Sequence, residues 1–338
     1  MQRVRTLPHR GLRGVPMGSI PSDLGAPHPA GAGRPDALPA AVRRASPLRR
    51  SADGAPGPGG LRSGAMPGPG LLRKTYALPA EHGSWVWWLG PFVIGAVAGG
   101  HPRGDLVALL VAATAGFLAH GPLTVAVKAA TGRRPPRDLR PALVWAAGYA
   151  AVAVLAVPCL LVHGHARVLL LLGPAALVFG AHLVLVARRA ERRQRLLQTV
   201  GASGLALAAP AAYWVCGGRA YPEPWVLWLL CSLQAAATIA SVHAVLSRRP
   251  ADGPTTAARR LRGSALAIAL AVVGVAVAAA LSAVRHAPRG AALPMALVVA
   301  DVVHAALRVP PGTRPARVGV RQAVASALFV AAMAATWA

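Results

Sequence analysis

Cysteines and carboxylates are both scarce in this sequence of 338 residues, which has three of the former and ten of the latter. Cys159, Cys216 and Cys231 form no CxxC pair and no spacing typical of a metal site. A disulfide among them stays open as an alternative. We favour the interpretation that they are small apolar packing residues, because free cysteine behaves as a small hydrophobic side chain.

The ten acidic residues are outnumbered by 36 Lys and Arg, which gives a formal net charge of +26. In a soluble chain such a surplus would indicate nucleic-acid binding. Here 55% of the residues are apolar, and basic loops between apolar stretches are the usual mark of membrane proteins. We therefore expect a lipid bilayer around the chain and no nucleic-acid partner.

Helical or strand periodicity is missing from residues 1–70, which are rich in Pro, Gly, Ala and Arg. Such a segment buries too little apolar surface to offset its chain entropy, so we predict a disordered tail. It also lacks the apolar run of about 7–15 residues that a signal peptide needs after its early arginines. The transmembrane domain is expected over residues 76–338.

Nine apolar stretches of about 17–24 residues follow, each long enough as a helix to cross about 30 Å of hydrocarbon. They are rich in Ala, Leu and Val, without the alternation of strands, so the predicted fold is all-α, a polytopic membrane helix bundle. The predicted spans are 83–100, 106–128, 141–161, 166–187, 199–216, 225–247, 261–284, 293–309 and 320–337.

Basic residues alternate between the connections of these spans. The segment up to Lys74 holds 12 Lys and Arg, and the connections after the second, fourth, sixth and eighth spans hold 5, 5, 5 and 4. The connections after the first, third, fifth and seventh spans hold 1, 1, 1 and 2. Because basic loops stay in the cytoplasm, we predict the bacterial cytoplasmic (inner) membrane, with the N-terminus inside and the C-terminus outside.

Five histidines and two carboxylates are predicted at or inside the spans, where ionisable groups are costly and indicate function. At about 1.5 Å per residue, four of the histidines lie about 6–12 Å below the cytoplasmic basic residues. This polar layer predicts a cavity open to the cytoplasm, whereas the alternative is a local hydrogen bond or interfacial position for each histidine. The candidate catalytic residues are Glu81, His82, His120, Asp301 and His304.

Three cytoplasmic segments form a basic rim next to this layer: Lys128–Pro141, Arg188–Arg195 and Arg248–Arg262. They are either ordinary determinants of topology or a mouth that collects phosphate or carboxylate ligands. A lipid-like or anionic small molecule would fit the second interpretation. The candidate ligand-binding residues are Lys128, Arg133, Arg134, His182, His243, Arg248 and Arg308.

Two sequence motifs resemble the YwiC-like family of bacterial membrane proteins. The first is the P-x-E-H-G-S-W run of Pro79–Trp85, at the start of the first span. The second begins at His120, continues through Pro122 to Lys128, and is followed by the letters GRRPPRD. The resemblance covers about residues 76–338 and is strongest in the first third. It implies a membrane protein but no particular reaction.

A more distant resemblance is to the UbiA-type intramembrane prenyltransferases. That resemblance implies nine helices and a cavity open to the cytoplasm, with Asp-rich motifs at the cytoplasmic ends of the second and sixth helices. The matching positions here hold His120 and His243 without carboxylates. Mg²⁺ would lack its preferred oxygen ligands there, so ordinary prenyl transfer is not expected.

Three classes of function therefore stay open. In an intramembrane enzyme or cofactor-binding protein, the polar layer would bind a metal, haem or quinone-like ligand. In a proton-coupled transporter, the same layer would carry protons, although we detect no internal repeat in the sequence. The third class is a structural or assembly protein of the membrane without a ligand.

Overall fold

The computed structural model describes residue 76 and residues 84–188, 194–219, 221–248 and 256–338. These residues all belong to one compact unit, Gly64–Ala338. The predicted disordered tail lies outside the described residues, and so do two of the predicted catalytic residues, Glu81 and His82.

The described residues fold into eleven α-helices and two short 3₁₀ helices, Pro136–Asp138 and Ala166–Leu171, and contain no strand. The predicted all-helical fold is therefore confirmed. The α-helices are α1 (Ser84–Ala98), α2 (Asp105–Ala130), α3 (Leu139–Val162), α4 (Leu172–Ala187), α5 (Gln194–Leu205), α6 (Ala208–Val215), α7 (Glu223–Leu246), α8 (Ala257–Gly263), α9 (Ala265–Ala283), α10 (Ala292–Arg308) and α11 (Pro315–Trp337).

Six helical segments in the described part of the chain are long and apolar enough to cross a membrane. The segments that contain α3 and α4 are only 11% and 6% buried within the protein. Leu155 and Leu177, for example, are 76% and 75% exposed on their outer surfaces. An apolar surface of this extent needs lipid around it, so the chain is a multi-pass membrane protein.

The other three predicted spans correspond to shorter helices. The first predicted span becomes α1, which has 15 residues, and the eighth becomes α10, which has 17. The fifth is divided between α5 and α6, with a break in the helix at residues 206–207. At about 1.5 Å per residue, α1 reaches only about 22 Å, which is less than the hydrocarbon thickness of about 30 Å.

Helix α7 forms the centre of the bundle, since half of its most apolar stretch is buried within the protein. It packs against α5, α6, α9 and α10, and also touches α1 and α11. Helices α2 and α3 instead form an antiparallel pair that joins the bundle mainly through α4 and α6. This arrangement gives the protein a crowded interior around α7 and a more lipid-exposed pair beside it.

Small residues allow a close contact between helices α1 and α6. Gly95 lies in the last turn of α1, and Gly99 follows the helix directly and donates a hydrogen bond back to Gly95, so the two glycines lie on the same side. A Cβ atom at Gly95 would overlap the backbone carbonyl of Ala209, and one at Gly99 would overlap Cys216. This small-xxx-small pattern brings the two backbones together, as in many membrane helix pairs.

Candidate functional site

Two predicted site histidines meet at the contact between α2 and α4. The ring centroids of His120 and His182 are 4.5 Å apart, with the ring planes tilted by 54°. Phe179, one turn earlier on α4, adds a third ring, 5.7 Å from His120. Both histidines are partly buried, so the helix packing holds two imidazoles side by side in an apolar environment.

Lys128 lies on the same helix as this pair, eight residues after His120. Eight residues of helix span about 12 Å, so the lysine lies about two turns nearer the helix end. It is partly buried there. Along α2, His120 therefore lies within the helix and Lys128 lies near its end, as the sequence predicts.

The histidine of α7 has a different partner. His243 Nε2 lies 2.7 Å from Oε1 of Gln198, on the neighbouring helix α5. An Nε2–H donor and an amide acceptor fit this contact. For His243 the structure thus favours the alternative weighed from the sequence, in which a single histidine makes a local hydrogen bond.

Asp301 on α10 forms an ion pair with Arg321 on α11. The side chains are 18% and 22% exposed, so both are largely withdrawn from the surroundings. Arg321 is one of the four basic residues counted between the eighth and ninth predicted spans, where it stands at the start of the span 320–337. The structure places it in the second turn of α11, where it balances the buried carboxylate.

A chain of polar side chains extends from this ion pair into the core. Gln322 links Arg321 to Thr238 of α7 at distances of 3.4 and 3.5 Å. Thr238 also accepts a hydrogen bond from Gln234, 3.3 Å away. Gln234 in turn reaches Ser326 of α11 at 3.4 Å. We call these six residues the polar chain: Asp301, Arg321, Gln322, Thr238, Gln234 and Ser326.

The polar chain ends at a small internal cavity between α1, α5, α7 and α11. Gln234 and Ser326 supply its polar atoms, and Trp87 and Cys231 are among its apolar walls. The volume in which the centre of a water molecule can lie is about 10 Å³, so the cavity has room for one water. It cannot hold a lipid-like substrate in this conformation.

The two candidates near the end of α10 lie on its surface. His304 and Arg308 are both exposed, one turn apart. His304 is close enough to Asp301 to act on it electrostatically, as their spacing of three residues predicts. The structure places these two side chains at the edge of the bundle rather than in its core.

Arginines of the basic rim bind the last carbonyl groups of neighbouring helices. Arg133 donates to the carbonyl oxygen of Val186, in the last turn of α4. Arg248 donates to Ala306 at 2.9 Å, and Arg260 to Leu307 at 3.0 Å, both in the last turn of α10. These carbonyls have no partner inside their own helix, so part of the rim has a structural role.

Arg248 makes a second hydrogen bond at this end of the bundle. Its second nitrogen donates to Ser264 Oγ at 3.0 Å. Burial, followed by the nearby charge of Arg260, lowers the pKa of the Arg248 guanidinium below its usual value. A guanidinium still keeps its proton at physiological pH, so two cations are held close together at this end of the bundle.

A buried carboxylate that the sequence analysis did not select lies in the GRRPPRD segment. Asp138 is 8% exposed and accepts a hydrogen bond from the Tyr76 hydroxyl at 2.9 Å. Arg134, a predicted ligand-binding residue, lies 3.6 Å from its other oxygen. The signal was present in the sequence, because an aspartate just before an apolar span often caps or anchors a helix start.

The comparison with known proteins concerns the part of the chain that carries the histidine pair and Asp138. No curated protein and no solved structure matches the chain. Residues 78–213 match the model of a family described as YwiC-like protein. Over these residues, the resemblance to the YwiC-like family that the two motifs predicted is confirmed.

Proposed function

We propose that this multi-pass membrane protein binds a small ligand through His120 and His182, as an intramembrane enzyme or cofactor-binding protein. The observation that supports this is the contact between two imidazoles from different helices, 4.5 Å between ring centroids. Ionisable side chains are costly inside a membrane and are retained there mainly for function. Two of them in contact are harder to explain by local packing than one.

Paired imidazoles have a defined chemistry. Each neutral ring offers one nitrogen lone pair and one N–H group. Two such rings can bind one transition-metal ion, one of them can bind a haem iron, or both can hydrogen-bond the carbonyl groups of a quinone-like ligand. Phe179 beside His120 would supply an apolar surface for a flat ligand. Glu81 and His82, in the motif that precedes α1, are further candidates on the basis of the sequence.

The test is to purify the full chain in mild detergent and identify what remains bound. An absorption spectrum detects haem, elemental analysis detects metal, and mass spectrometry of a solvent extract detects quinone-like lipids. His120→Ala and His182→Ala should each lower the bound amount at least tenfold. His286→Ala is the matched control, because this histidine is exposed and lies in the connection between α9 and α10, outside the helices of the histidine pair.

Equal occupancy in all four proteins would contradict a role for the histidine pair. A wild-type protein without metal, haem or lipid-like ligand would contradict cofactor binding altogether. Chromatography in detergent should show that the variants have the same size as the wild type, which separates loss of ligand from loss of fold.

A second candidate function is proton-coupled transport, and the polar chain favours it. Asp301, Arg321 and the side chains as far as Ser326 form a sequence of donors and acceptors between three helices. Such chains of polar groups mark proton pathways in membrane proteins. With a water in the cavity, this one would extend to α1.

This alternative is testable in vesicles that contain the purified protein and a pH-sensitive dye. A pH gradient should decay faster with the wild type than with Asp301→Asn, which keeps the shape but removes the charge. Identical decay in both, at the rate of empty vesicles, would argue against proton movement.

We also propose nine membrane crossings, with the N-terminus in the cytoplasm, in an arrangement similar to the UbiA-type transferases. The support is that α1, the pair α5–α6, and α10 occupy the predicted first, fifth and eighth spans. Short helices can cross where the lipid thins around them. The charge alternation of the connections supports the orientation.

A further inference from the structure

Four side chains with metal-binding groups meet at the end of the α2–α3 pair that lies opposite Lys128. Asp105 is the first residue of α2, and Cys159 lies in the last turn of α3. His163 directly follows α3, and His165 lies just before the second 3₁₀ helix. Because α2 and α3 are antiparallel, the start of one helix meets the end of the other.

We propose that Asp105, Cys159 and His163 bind a divalent transition-metal ion, zinc being the best fit. Their ligand atoms, a carboxylate oxygen, Sγ and a ring nitrogen, all lie within 4.8 Å of one another. Cys159 Sγ is 3.9 Å from His163 Nδ1, and Nδ1 is 3.2 Å from Asp105 Oδ1. Zinc bonds of about 2.0–2.3 Å in a tetrahedron separate neighbouring ligand atoms by about 3.3–3.8 Å.

The local structure explains why these three ligand atoms lie close together. Cys159 and His163 are four residues apart, so they lie on one face of the end of α3. His163 Nδ1 also lies 2.8 Å from the carbonyl oxygen of Cys159, which keeps the imidazole folded back toward the thiol. Asp105 then approaches from α2, and its carboxylate faces both.

His165 holds the carboxylate in place. Its Nε2 lies 3.0 Å from the second oxygen of Asp105, and its side chain is only 9% exposed. Ligating carboxylates and imidazoles commonly have such a hydrogen-bonded neighbour that fixes their orientation. We therefore assign His165 as a positioning residue, which leaves the fourth position on the metal for water.

The donor set indicates the class of metal. A thiolate and an imidazole favour zinc or copper over magnesium and calcium, which prefer oxygen ligands. On binding, the Cys159 thiol would lose its proton to solvent, and the ring proton of His163 would sit on Nε2, so that the neutral imidazole presents the lone pair of Nδ1 to the metal. Cys159 is exposed and His163 is 54% exposed, so an ion has direct access.

The test uses the purified full chain and cobalt, which replaces zinc and absorbs visible light. The wild type should bind one Co²⁺ per chain that gives a thiolate-to-cobalt charge-transfer band, and this band counts only cobalt at Cys159. Cys159→Ser should remove that band and weaken binding, and His163→Ala should weaken binding at least tenfold. His165→Ala should weaken it about 10–100-fold while the charge-transfer band remains at saturating cobalt, as expected for a residue that does not touch the metal.

His286→Ala is the control, since this histidine is exposed in the connection before α10. Loss of cobalt binding in His286→Ala to the same degree as in His163→Ala would overturn the proposal, because binding would then be unspecific. Absence of a charge-transfer band in the wild type would also overturn it. A second measurement needs no variant: Zn²⁺ should slow alkylation of the exposed Cys159 thiol at least tenfold, and an unchanged rate would contradict the site.

This proposal is independent of the proposed function at His120. The histidine pair lies 15 residues further along α2, about 22 Å away at about 1.5 Å per residue. Failure of ligand binding at His120 and His182 would leave the metal site untouched, and the cobalt signal of Cys159 would be unchanged in His120→Ala.

Discussion

The hydroxyl of Tyr76 donates a hydrogen bond of 2.9 Å to Oδ1 of Asp138, although 62 positions separate the two residues. Tyr76 precedes the P-x-E-H-G-S-W motif, and Asp138 ends the GRRPPRD segment. The two stretches that carry the family resemblance are therefore tied together by a buried polar contact. This contact joins Tyr76 to the start of α3.

Removal of this hydrogen bond should destabilise the protein. Tyr76→Phe leaves the Asp138 oxygen without its donor, and a buried polar group without a partner costs about 1–3 kcal/mol. We expect a lower melting temperature in detergent for Tyr76→Phe and for Asp138→Asn. Tyr221→Phe is the control, because Tyr221 is 72% exposed and should leave the melting temperature unchanged. Equal melting temperatures for Tyr76→Phe and the control would contradict this role.

The contact between α1 and α6 should not tolerate a side chain at Gly95. A leucine there would overlap the backbone of Ala209, and overpacking of this kind costs about 1–3 kcal/mol or more. We expect Gly95→Leu to reduce the yield of folded protein and its melting temperature. Gly116→Leu, in α2, is the matched control, since no atom lies within 4 Å of a Cβ at that position. A control as damaging as Gly95→Leu would show that helical glycine itself, not the contact, is required.

The Asp301–Arg321 pair should behave as a coupled unit. Arg321→Leu leaves a carboxylate that is only 18% exposed without its cation, and breaking a buried pair costs about 3–5 kcal/mol. The double variant Asp301→Asn with Arg321→Leu should recover part of the lost melting temperature. Arg317→Leu, an exposed position one turn earlier on α11, should change little. A double variant less stable than Arg321→Leu alone would exclude this coupling.

The predicted orientation can be tested by labelling single cysteines from outside the cell. Arg103→Cys and Arg219→Cys occupy exposed positions in weakly basic connections and should react with a membrane-impermeant maleimide. Glu191→Cys and Thr255→Cys lie in strongly basic connections and should react only after the membrane is permeabilised. The three native cysteines are replaced by serine in this background. The opposite labelling pattern would reverse the orientation.

Long apolar stretches and loop charges determined the overall class of this protein without a structure. Backbone groups in lipid must bond within their own segment, so stretches such as that of α9 can only be helices. The same reasoning predicted a longer helix than α1 and one unbroken helix in place of α5 and α6, because apolar composition does not show where a helix begins, ends or breaks. The described part of the chain contains six long apolar helical segments and several shorter helices, with α7 at the centre of the bundle, and a single sequence contains no direct signal of that packing.

Only the tertiary structure shows which side chains are in contact. Depth along each helix placed His120, His182 and His243 in one layer, but only the rotation and contacts of the helices make His182 the neighbour of His120 and Gln198 the neighbour of His243. Arg321 was counted among the basic residues next to the predicted ninth span, and only the packing of α10 against α11 shows that its partner is Asp301. The cysteine spacing indicated no metal site on its own. Asp105 completes the set from 54 residues earlier in the chain, because an antiparallel helix pair joins positions that sequence spacing cannot connect.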